Sequence, residues 1–311
     1  METINGEFVM KGCEKHDPSA LLSLSDALSM IHAIGFLPLF SNSIPGFSVE
    51  EHVPDSHWWT GNPETDPWEW RQILASDPYI AYGKFFNRSA GFVSKDYFPA
   101  FANYRRNGYD FDSLFEDELA SYRSKKIMDV FELNDEAVGR SLLSPEVKAL
   151  AGFGKRANGS AGEKNFEGCL AGLQMQTYLI LSDFRQRKNK KGIAYGWHIA
   201  VVETPETKWG RSFVTSGYKE EPVESWTRIV SRIKQFFPDA QDDQIKKILG
   251  IKYPGETANT QTKKRKTRKS ERKNMPKNMV PTAVKPERNM ASGLKGTESR
   301  TNEVEPAEGF E

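Results

Sequence analysis

Residues 143–202 carry the clearest fold signal of the sequence, because helix and strand patterns follow one another there in a recognisable order. A short helix beginning at Ser144 and a Gly/Ser-rich loop precede a longer helix that starts near Lys164. Two β-prone runs, 178–184 and 195–202, then flank a lysine-rich turn and predict a hairpin. Helix, loop, longer helix and hairpin is the order of a winged helix-turn-helix.

The residues before this segment also predict helices and short strands. Asp17 and Pro18 favour a helix start, and leucines and isoleucines follow at helical spacing up to Gly35. Asp66-Pro67 favours another helix start, and the aromatic stretch 79–93 fits two short strands or a strand and a loop. Further helices are expected at 94–106, from a capping box at Ser113 to about residue 131, and as a pair at 222–250. The sequence therefore predicts a mainly helical α+β fold with tandem winged-helix units and a C-terminal helical pair.

The composition divides the 311-residue chain into a body and a tail. Beyond Tyr253 the single aromatic residue is Phe310, and the residues from 256 onward hold 13 basic and 8 acidic side chains. A stretch so poor in apolar residues cannot bury a core, and we expect it to be disordered. The predicted organisation is an N-terminal tail at 1–16, a first winged-helix-like aromatic unit at 17–132, a second winged helix at 133–212, a C-terminal helical segment at 213–255 and a disordered basic tail at 256–311.

Several classes of protein are disfavoured by the counts of special residues. Two cysteines, Cys13 and Cys169, exclude a disulfide scaffold and a zinc site built from cysteine alone. Five scattered histidines make a His-rich metal site improbable, so we expect neither a metal nor a cofactor. No apolar run reaches the roughly 18–20 residues of a membrane span, and the first residues lack the apolar core of a signal peptide. We therefore expect a cytoplasmic protein without a membrane partner.

The predicted hairpin carries a dense group of cations. Arg185, Arg187, Lys188, Lys190 and Lys191 fall within seven residues, and no acidic residue follows Asp183 before Glu203. Cations at the tip of a hairpin can reach DNA phosphates, which supply most of the affinity for nucleic acid. On the preceding helix, Gln174 and Gln176 could pair with adenine edges. The alternative is a solvated turn with no partner.

A second group of cations lies in the tail. The segment KKRKTRKSERK at 263–273 has eight basic residues and one acidic residue, beginning with Lys263, Lys264, Arg265 and Lys266. A flexible basic segment raises non-specific affinity for nucleic acid and accelerates encounter. The alternative is a tail that only improves solubility.

Four of the seven tryptophans, Trp58, Trp59, Trp68 and Trp70, lie close together in the sequence. With Arg71 they could form a stacking platform for bases. We expect them to be part of the core instead, because large aromatic residues are mostly buried. Neither the acidic pairs nor the lone strand histidine His198 forms a recognisable catalytic arrangement.

Three stretches of the body together resemble one protein family. The first is IGFLPLFS at 34–41, directly after the first predicted helix, and the second is KFFNRSAGFVSKDYFPAFANYRR at 84–106, which ends in the paired Arg105 and Arg106. The third is the helix-loop-helix-hairpin order at 143–202. They resemble the AlkZ-like family of bacterial winged-helix DNA glycosylases, which release alkylated or crosslinked bases. The resemblance implies a DNA-binding scaffold in which Arg105 and Arg106 are candidate DNA contacts.

The resemblance also shows where this chain departs from the family. In the family, a Gln and an Asp or Gln two residues apart position the hydrolytic water at the glycosidic bond. Pro38 and Phe40 occupy those places here, and neither side chain can hydrogen-bond a water molecule. The letters of the pair recur at Gln174 and Gln176, but in the second winged helix, where the family has packing residues.

The leading hypothesis is therefore a winged-helix DNA-binding protein that is related to DNA glycosylases but has no glycosylase activity. It would bind duplex or damaged DNA through the basic hairpin and the tail. The first alternative is an active glycosylase for alkylated bases with relocated residues such as Gln174 and Gln176. The second is a protein–protein adaptor.

Overall fold

A computed structural model of the protein describes residues 2–4, 7–132, 139–154, 162–189 and 191–250. Groups of helices and short strands follow one another along this part of the chain. The helices are α1 Leu24–Ile34, α2 Pro67–Ser76, α3 Phe98–Arg106, α4 Phe111–Glu116, α5 Tyr122–Glu132, α6 Ser144–Leu150, α7 Phe166–Met175, α8 Pro205–Trp209, α9 Arg211–Val214, α10 Pro222–Phe236 and α11 Asp242–Leu249. The strands are β1 Glu2–Ile4, β2 Glu7–Val9, β3 Phe36–Pro38, β4 Ile80–Phe86, β5 Ser89–Ser94, β6 Leu142–Leu143, β7 Ile180–Lys188 and β8 Ala194–Glu203. The α+β class predicted from the sequence is confirmed.

The main sheet has six strands in the order β3-β5-β4-β7-β8-β6, and its neighbouring strands are antiparallel. The first half of the chain contributes α1, β3, α2 and the hairpin β4–β5, and β5 lies between β3 and β4. The second half contributes α5, β6, α6, α7 and the hairpin β7–β8, and β8 lies between β6 and β7. In both halves the short early strand pairs with the second strand of the hairpin. The halves meet where β4 pairs with β7, at Tyr82 and Leu181.

The hairpin of the first half is held in the core on both faces. Six of the seven residues of β4 are buried, because its apolar side chains do not alternate with polar ones. Its two-residue turn uses Asn87 and Arg88, which have φ of 48° and 66° and so form the left-handed turn that suits a twisted hairpin. Gly91 of β5 leaves no room for a side chain. An added Cβ there would lie 2.5 Å from the Phe86 ring and 2.7 Å from the Leu37 carbonyl oxygen.

The start of the first helix differs from the sequence prediction. Helix α1 begins at Leu24, and Ser23 and Asp26 cap it reciprocally. Asp17 accepts hydrogen bonds from the amide and hydroxyl of Ser19, at 2.8 and 2.7 Å, and so forms a local turn instead of a helix. The prediction from Asp17 and Pro18 was wrong because a Ser-Asp capping pair lies farther along the same apolar pattern.

The predicted helix that would begin at Ser113 also differs. Asp110 is the N-cap of α4, since its carboxylate accepts from the Ser113 amide at 2.9 Å, and α4 ends at Glu116. A turn with Glu118 at φ 58° separates α4 from α5, so the expected single helix is two.

The C-terminal helical pair predicted at 222–250 is present as α10 and α11. Helix α10 packs on α3, where Asn103 donates to the Ser225 hydroxyl at 3.0 Å and Tyr104 contacts Trp226 edge to face. Both helices carry an apolar stripe that faces the common core. Among the described residues, no helix is both long and apolar enough to cross a membrane.

Candidate nucleic-acid interface

The second hairpin extends beyond the body of the protein. At its base Ile180, Leu181, Val201 and Val202 are buried in the sheet. We call residues 185–198 the hairpin arm, and every residue of the arm whose exposure is described is exposed. The apolar pattern of β8 ends before the strand does, so the outer part of the hairpin has no core to pack on.

The tip of the arm is closed by side-chain hydrogen bonds. The Asn189 amide oxygen accepts from the backbone amides of Lys191 and Ile193, at 2.9 and 3.0 Å. Gly192 has φ 78°, a left-handed conformation that favours glycine. The turn is thus specified by sequence and does not need contact with the body.

The charge of the arm is positive. Arg187 and Lys191 are exposed and have no ion-pair partner among the described residues, whereas Arg185 pairs with Asp183 at 2.8 Å. Burial raises the pKa of Asp183, but hydrogen bonds from Arg185, Phe184 and Ser76 outweigh it and leave that pKa below its ordinary value. The side chain of Lys188 and the whole of Lys190 lie outside the described residues, as do Lys263, Lys264, Arg265 and Lys266 of the tail.

Helix α7, the predicted reading helix, does not offer the expected side chains. Gln174 is 2% exposed, its amide oxygen accepts from the Lys84 amide at 2.9 Å and its amide nitrogen donates to the Leu170 carbonyl. This arrangement disfavours the prediction that Gln174 reads base edges, because the first hairpin covers this face of α7. Gln176 is half-buried at the end of the helix.

Arg105 and Arg106 are also buried, with exposures of 7% and 4%. Arg105 donates to the carbonyls of Met175 and Phe85, at 2.8 and 2.6 Å. Arg106 donates to the Thr177 carbonyl at 2.6 Å and pairs with Glu206. These donors are already used inside the protein, where they hold α3 to the neighbouring elements, and this use disfavours the expectation that both arginines contact DNA.

Pro38 and Phe40, considered from the sequence as possible places of a catalytic pair, lie in apolar surroundings. Pro38 is buried in β3, and the Phe40 ring stacks on Trp58 with 6.1 Å between centroids. The carboxylate of Glu50 is close by, but its oxygens accept from the backbone amides of Ser41 and Lys11, at 2.8 and 3.1 Å. Burial raises the pKa of Glu50, and these hydrogen bonds contribute to a net value below the ordinary one. Glu50 therefore anchors the backbone at this position.

The tryptophan group is mainly part of the core, as expected. Trp58 and Trp70 are buried, and Trp68 lies under the Arg71 guanidinium at 3.5 Å from its ring centroid. Trp59 is 42% exposed. The group therefore joins α2 to the sheet and leaves one ring partly accessible.

A cavity of about 540 Å³ lies at the foot of the arm. Its charged lining includes Asp183, Glu203 and Lys208. Burial raises the pKa of Glu203 against the opposing effect of Lys208, and burial lowers the pKa of Lys208. The Lys208 ammonium donates to the carbonyls of Ala75 and Ile80, at 3.1 and 2.8 Å, so it caps the end of α2. Lys208 thus links α8 to α2 and β4 at the joint between the two halves.

A second cavity, of about 590 Å³, lies between the first hairpin turn, α3 and α7. Its lining includes Arg88, Asn107, Asn165, Cys169 and Gln176. Burial raises the pKa of the Cys169 thiol, which keeps it protonated. The described residues contain no group of three metal-ligating side chains here or elsewhere.

Comparison with protein families agrees with this architecture. A profile of the family described as AlkZ related matches residues 21–250, from just before α1 to the end of α11. This is well over half of the chain, and the protein belongs to the AlkZ-related family. Membership connects it with glycosylase-like proteins of DNA repair. No curated protein and no solved structure matches the chain.

Sequence reasoning found the arm but missed two features of this region. The covering of α7 depends on contacts with the first hairpin, which are distant in sequence. The exposure of Tyr195 and Trp197 on β8 had a signal in Gly196, because a glycine inside a strand often marks a bulge.

Proposed function

We propose that this protein is a DNA-binding member of its family that docks through the hairpin arm and the basic tail. It would act on cytoplasmic DNA, without glycosylase chemistry at Pro38 and Phe40. The observation that carries the proposal is the arm itself: it leaves the body, it holds unpaired Arg187 and Lys191, and it has no acidic residue. A cationic ribbon of this kind suits the phosphates that border a DNA groove.

The repeated order of elements supports a tandem winged-helix scaffold. Both halves have a helix, a short strand, a helical segment and a hairpin, and in both the short strand pairs with the returning strand of the hairpin. This is the arrangement of a winged helix, in which the hairpin is the wing. The sequence predicts the two units at 17–132 and 133–212 with a helical segment at 213–255, whereas the repeat counts α5, Tyr122–Glu132, with the second unit; in the helical segment α10 packs on α3.

The test of the proposal is the salt dependence of DNA binding by the full chain. Arg187→Ala with Lys191→Ala should weaken binding to a duplex about tenfold and reduce the slope of log K against log salt by up to about 2. The matched control is Lys246→Ala with Lys247→Ala, two exposed cations on α11, which should leave both quantities unchanged. Equal effects of the two double variants, or no effect of the first, would remove the arm from the interface.

The tail requires a separate variant. Replacing Lys263, Lys264, Arg265 and Lys266 by alanine should lower affinity for all DNA sequences alike, because contacts from lysine and arginine to phosphates carry no sequence information. Unchanged affinity would assign these residues to solubility. If the wild type binds no DNA even at low salt, the adaptor hypothesis is favoured.

The second cavity favours one alternative, an active glycosylase with relocated residues. Gln176 lines that cavity and could orient a water molecule through its amide, whereas Gln174 is committed to Lys84 and Leu170. A base-release assay on alkylated duplex DNA decides between the two functions. Turnover that is lost in Gln176→Ala and kept in Gln174→Glu would support catalysis in this cavity, and no release by the wild type would support the non-catalytic proposal.

A further inference from the structure

The most exposed large apolar side chain among the described residues is a tryptophan on the arm. Trp197 is 86% exposed, Tyr195 on the same strand is 50% exposed, and Ile193, directly before the strand, is 60% exposed. Tryptophan is among the most buried residue types on average, so such exposure is unusual in a protein without a partner. The indole has no ring contact or hydrogen bond with any other described residue.

The backbone at this point is built to present the side chain. Arg185 pairs with Ile199 and Arg187 pairs with Tyr195, so residues 196–198 of β8 face Gln186 alone on β7. Gly196, at the start of this bulge, has φ 72°, and its carbonyl accepts a hydrogen bond from the side-chain amide nitrogen Nε2 of Gln186 at 3.2 Å. A bulge redirects a side chain and increases the local twist of a strand, and glycine permits the left-handed conformation without strain. Trp197 follows directly.

The charges around Trp197 indicate the kind of partner. No acidic residue occurs between Asp183 and Glu203, and Arg187 and Lys191 flank the aromatic side chains on the opposite strand and at the turn. An apolar protein partner would gain nothing from this cationic border. Nucleic acid satisfies both parts at once, since phosphates pair with the cations and the flat face of a base stacks on an indole.

We propose that Trp197 stacks on an unstacked base, so that the protein prefers DNA in which base stacking is interrupted. In an intact duplex each base face is already covered, and inserting a side chain costs the stacking energy of a step. A base next to an abasic position, in a bulge or in a single strand has a free face and does not impose that cost. The inference rests on the proposed DNA binding and adds the substrate class: interrupted duplex rather than perfect duplex.

The experiment compares the full-length protein on two labelled DNAs of equal length by fluorescence anisotropy. One is a perfect duplex, and the other carries a tetrahydrofuran abasic analogue at its centre. The wild type should bind the interrupted duplex about tenfold more tightly, the size expected for one stacked base. Trp197→Ala should abolish this preference and leave the affinity for the perfect duplex within about twofold, because the phosphate contacts remain.

Two variants make the result specific. Trp197→Phe should keep most of the preference because it retains an aromatic face. Ile193→Ala, which changes an exposed apolar residue directly before β8, should keep all of it. Thermal unfolding of each variant should match the wild type, since both side chains lie outside the core.

The outcomes separate this inference from the proposed function. If the wild type binds both DNAs equally, or if Trp197→Ala weakens both equally, the stacking role is wrong while the arm still binds DNA. If the wild type binds neither DNA, or if it binds DNA and the variants of Arg187 and Lys191 have no effect on that binding, the proposed function itself fails. A preference retained in Trp197→Ala would assign recognition of the interruption to another part of the protein.

Discussion

The two hairpins of this protein have the same place in their halves but opposite surroundings. The turn of β4–β5 keeps its side chains exposed but packs its backbone against the body: the Arg88 backbone amide donates to the Met175 sulfur at 3.0 Å, and an added Cβ on Gly250 would lie 2.6 Å from the Asn87 Cα. The outer half of β7–β8 contacts solvent. The difference teaches that the extent of the apolar pattern, and not strand order, decides whether a hairpin becomes core or remains available to a partner.

The prediction with the largest expected effect compares the removal of Arg105, a cation that binds the first hairpin, with the removal of Arg187 from the arm. Arg105→Ala removes hydrogen bonds to carbonyls of Phe85 and Met175 and leaves both without a donor. Each charge-assisted bond contributes about 1.5–3 kcal/mol, so the free energy of unfolding should fall by roughly 3 kcal/mol or more. Arg187→Ala on the arm should change it by less than about 0.5 kcal/mol. Urea unfolding measures both, and similar losses would show that the arm is part of the stable core.

A second test adds one methyl group to each hairpin. Gly91→Ala places a Cβ 2.5 Å from the Phe86 ring and 2.7 Å from a backbone oxygen on β3, so overpacking should cost about 1–3 kcal/mol. Gly192→Ala strains the left-handed turn of the arm, but nothing lies within 4 Å of the added atom. Because the arm can open locally, the midpoint of global unfolding should move less for Gly192→Ala. The reverse order would contradict the enclosed and open assignments.

The smallest expected effect is a pH dependence at the joint below the arm. Burial raises the pKa of Glu203, so the folded protein holds that proton to a higher pH than the unfolded chain does. Its contribution to stability is therefore greatest below the ordinary value of 4.5 and is lost as the pH rises through the raised value. Glu132 acts in the same direction, since burial and the Asp112 carboxylate raise its pKa to about 7.

Glu203→Gln should accordingly reduce, but not remove, the fall in the free energy of unfolding between pH 4.5 and neutrality. The Glu132→Gln variant should account for part of the remainder. An unchanged pH profile in both variants would show that neither carboxyl titrates differently in the folded protein. Arg187→Ala serves as the control, because it alters the charge of the arm without touching the joint.

Local signals in the sequence were sufficient for much of this fold. Asp66 and Pro67 specified α2, Asn189 lay at the expected turn, and the pattern of 178–202 predicted the hairpin β7–β8, whereas the pattern of 79–93 fitted either two strands or a strand and a loop. Contacts between distant residues were not accessible in this way. The adjacent Arg105 and Arg106 were expected to be available for DNA contacts. In the structure they donate to the carbonyls of residues 85, 175 and 177. The burial of Gln174 was inaccessible for the same reason, since Lys84 lies 90 positions away.

The bulge opposite Gln186 was equally out of reach of local patterns. Strand propensity described a regular ribbon, whereas pairing of Arg187 with Tyr195 and of Arg185 with Ile199 leaves two residues of β8 in excess. Register depends on both strands together, and one strand alone does not determine it.

The free outer part of β7–β8 leaves room for change in length. Because successive side chains of a strand alternate between faces, removing one residue from each strand would invert the orientation of everything beyond the cut. Removing two from each would preserve it and draw the tip about 7 Å closer to the body. The reach of this protein toward its ligand can thus vary in fixed steps while the folded body stays as it is.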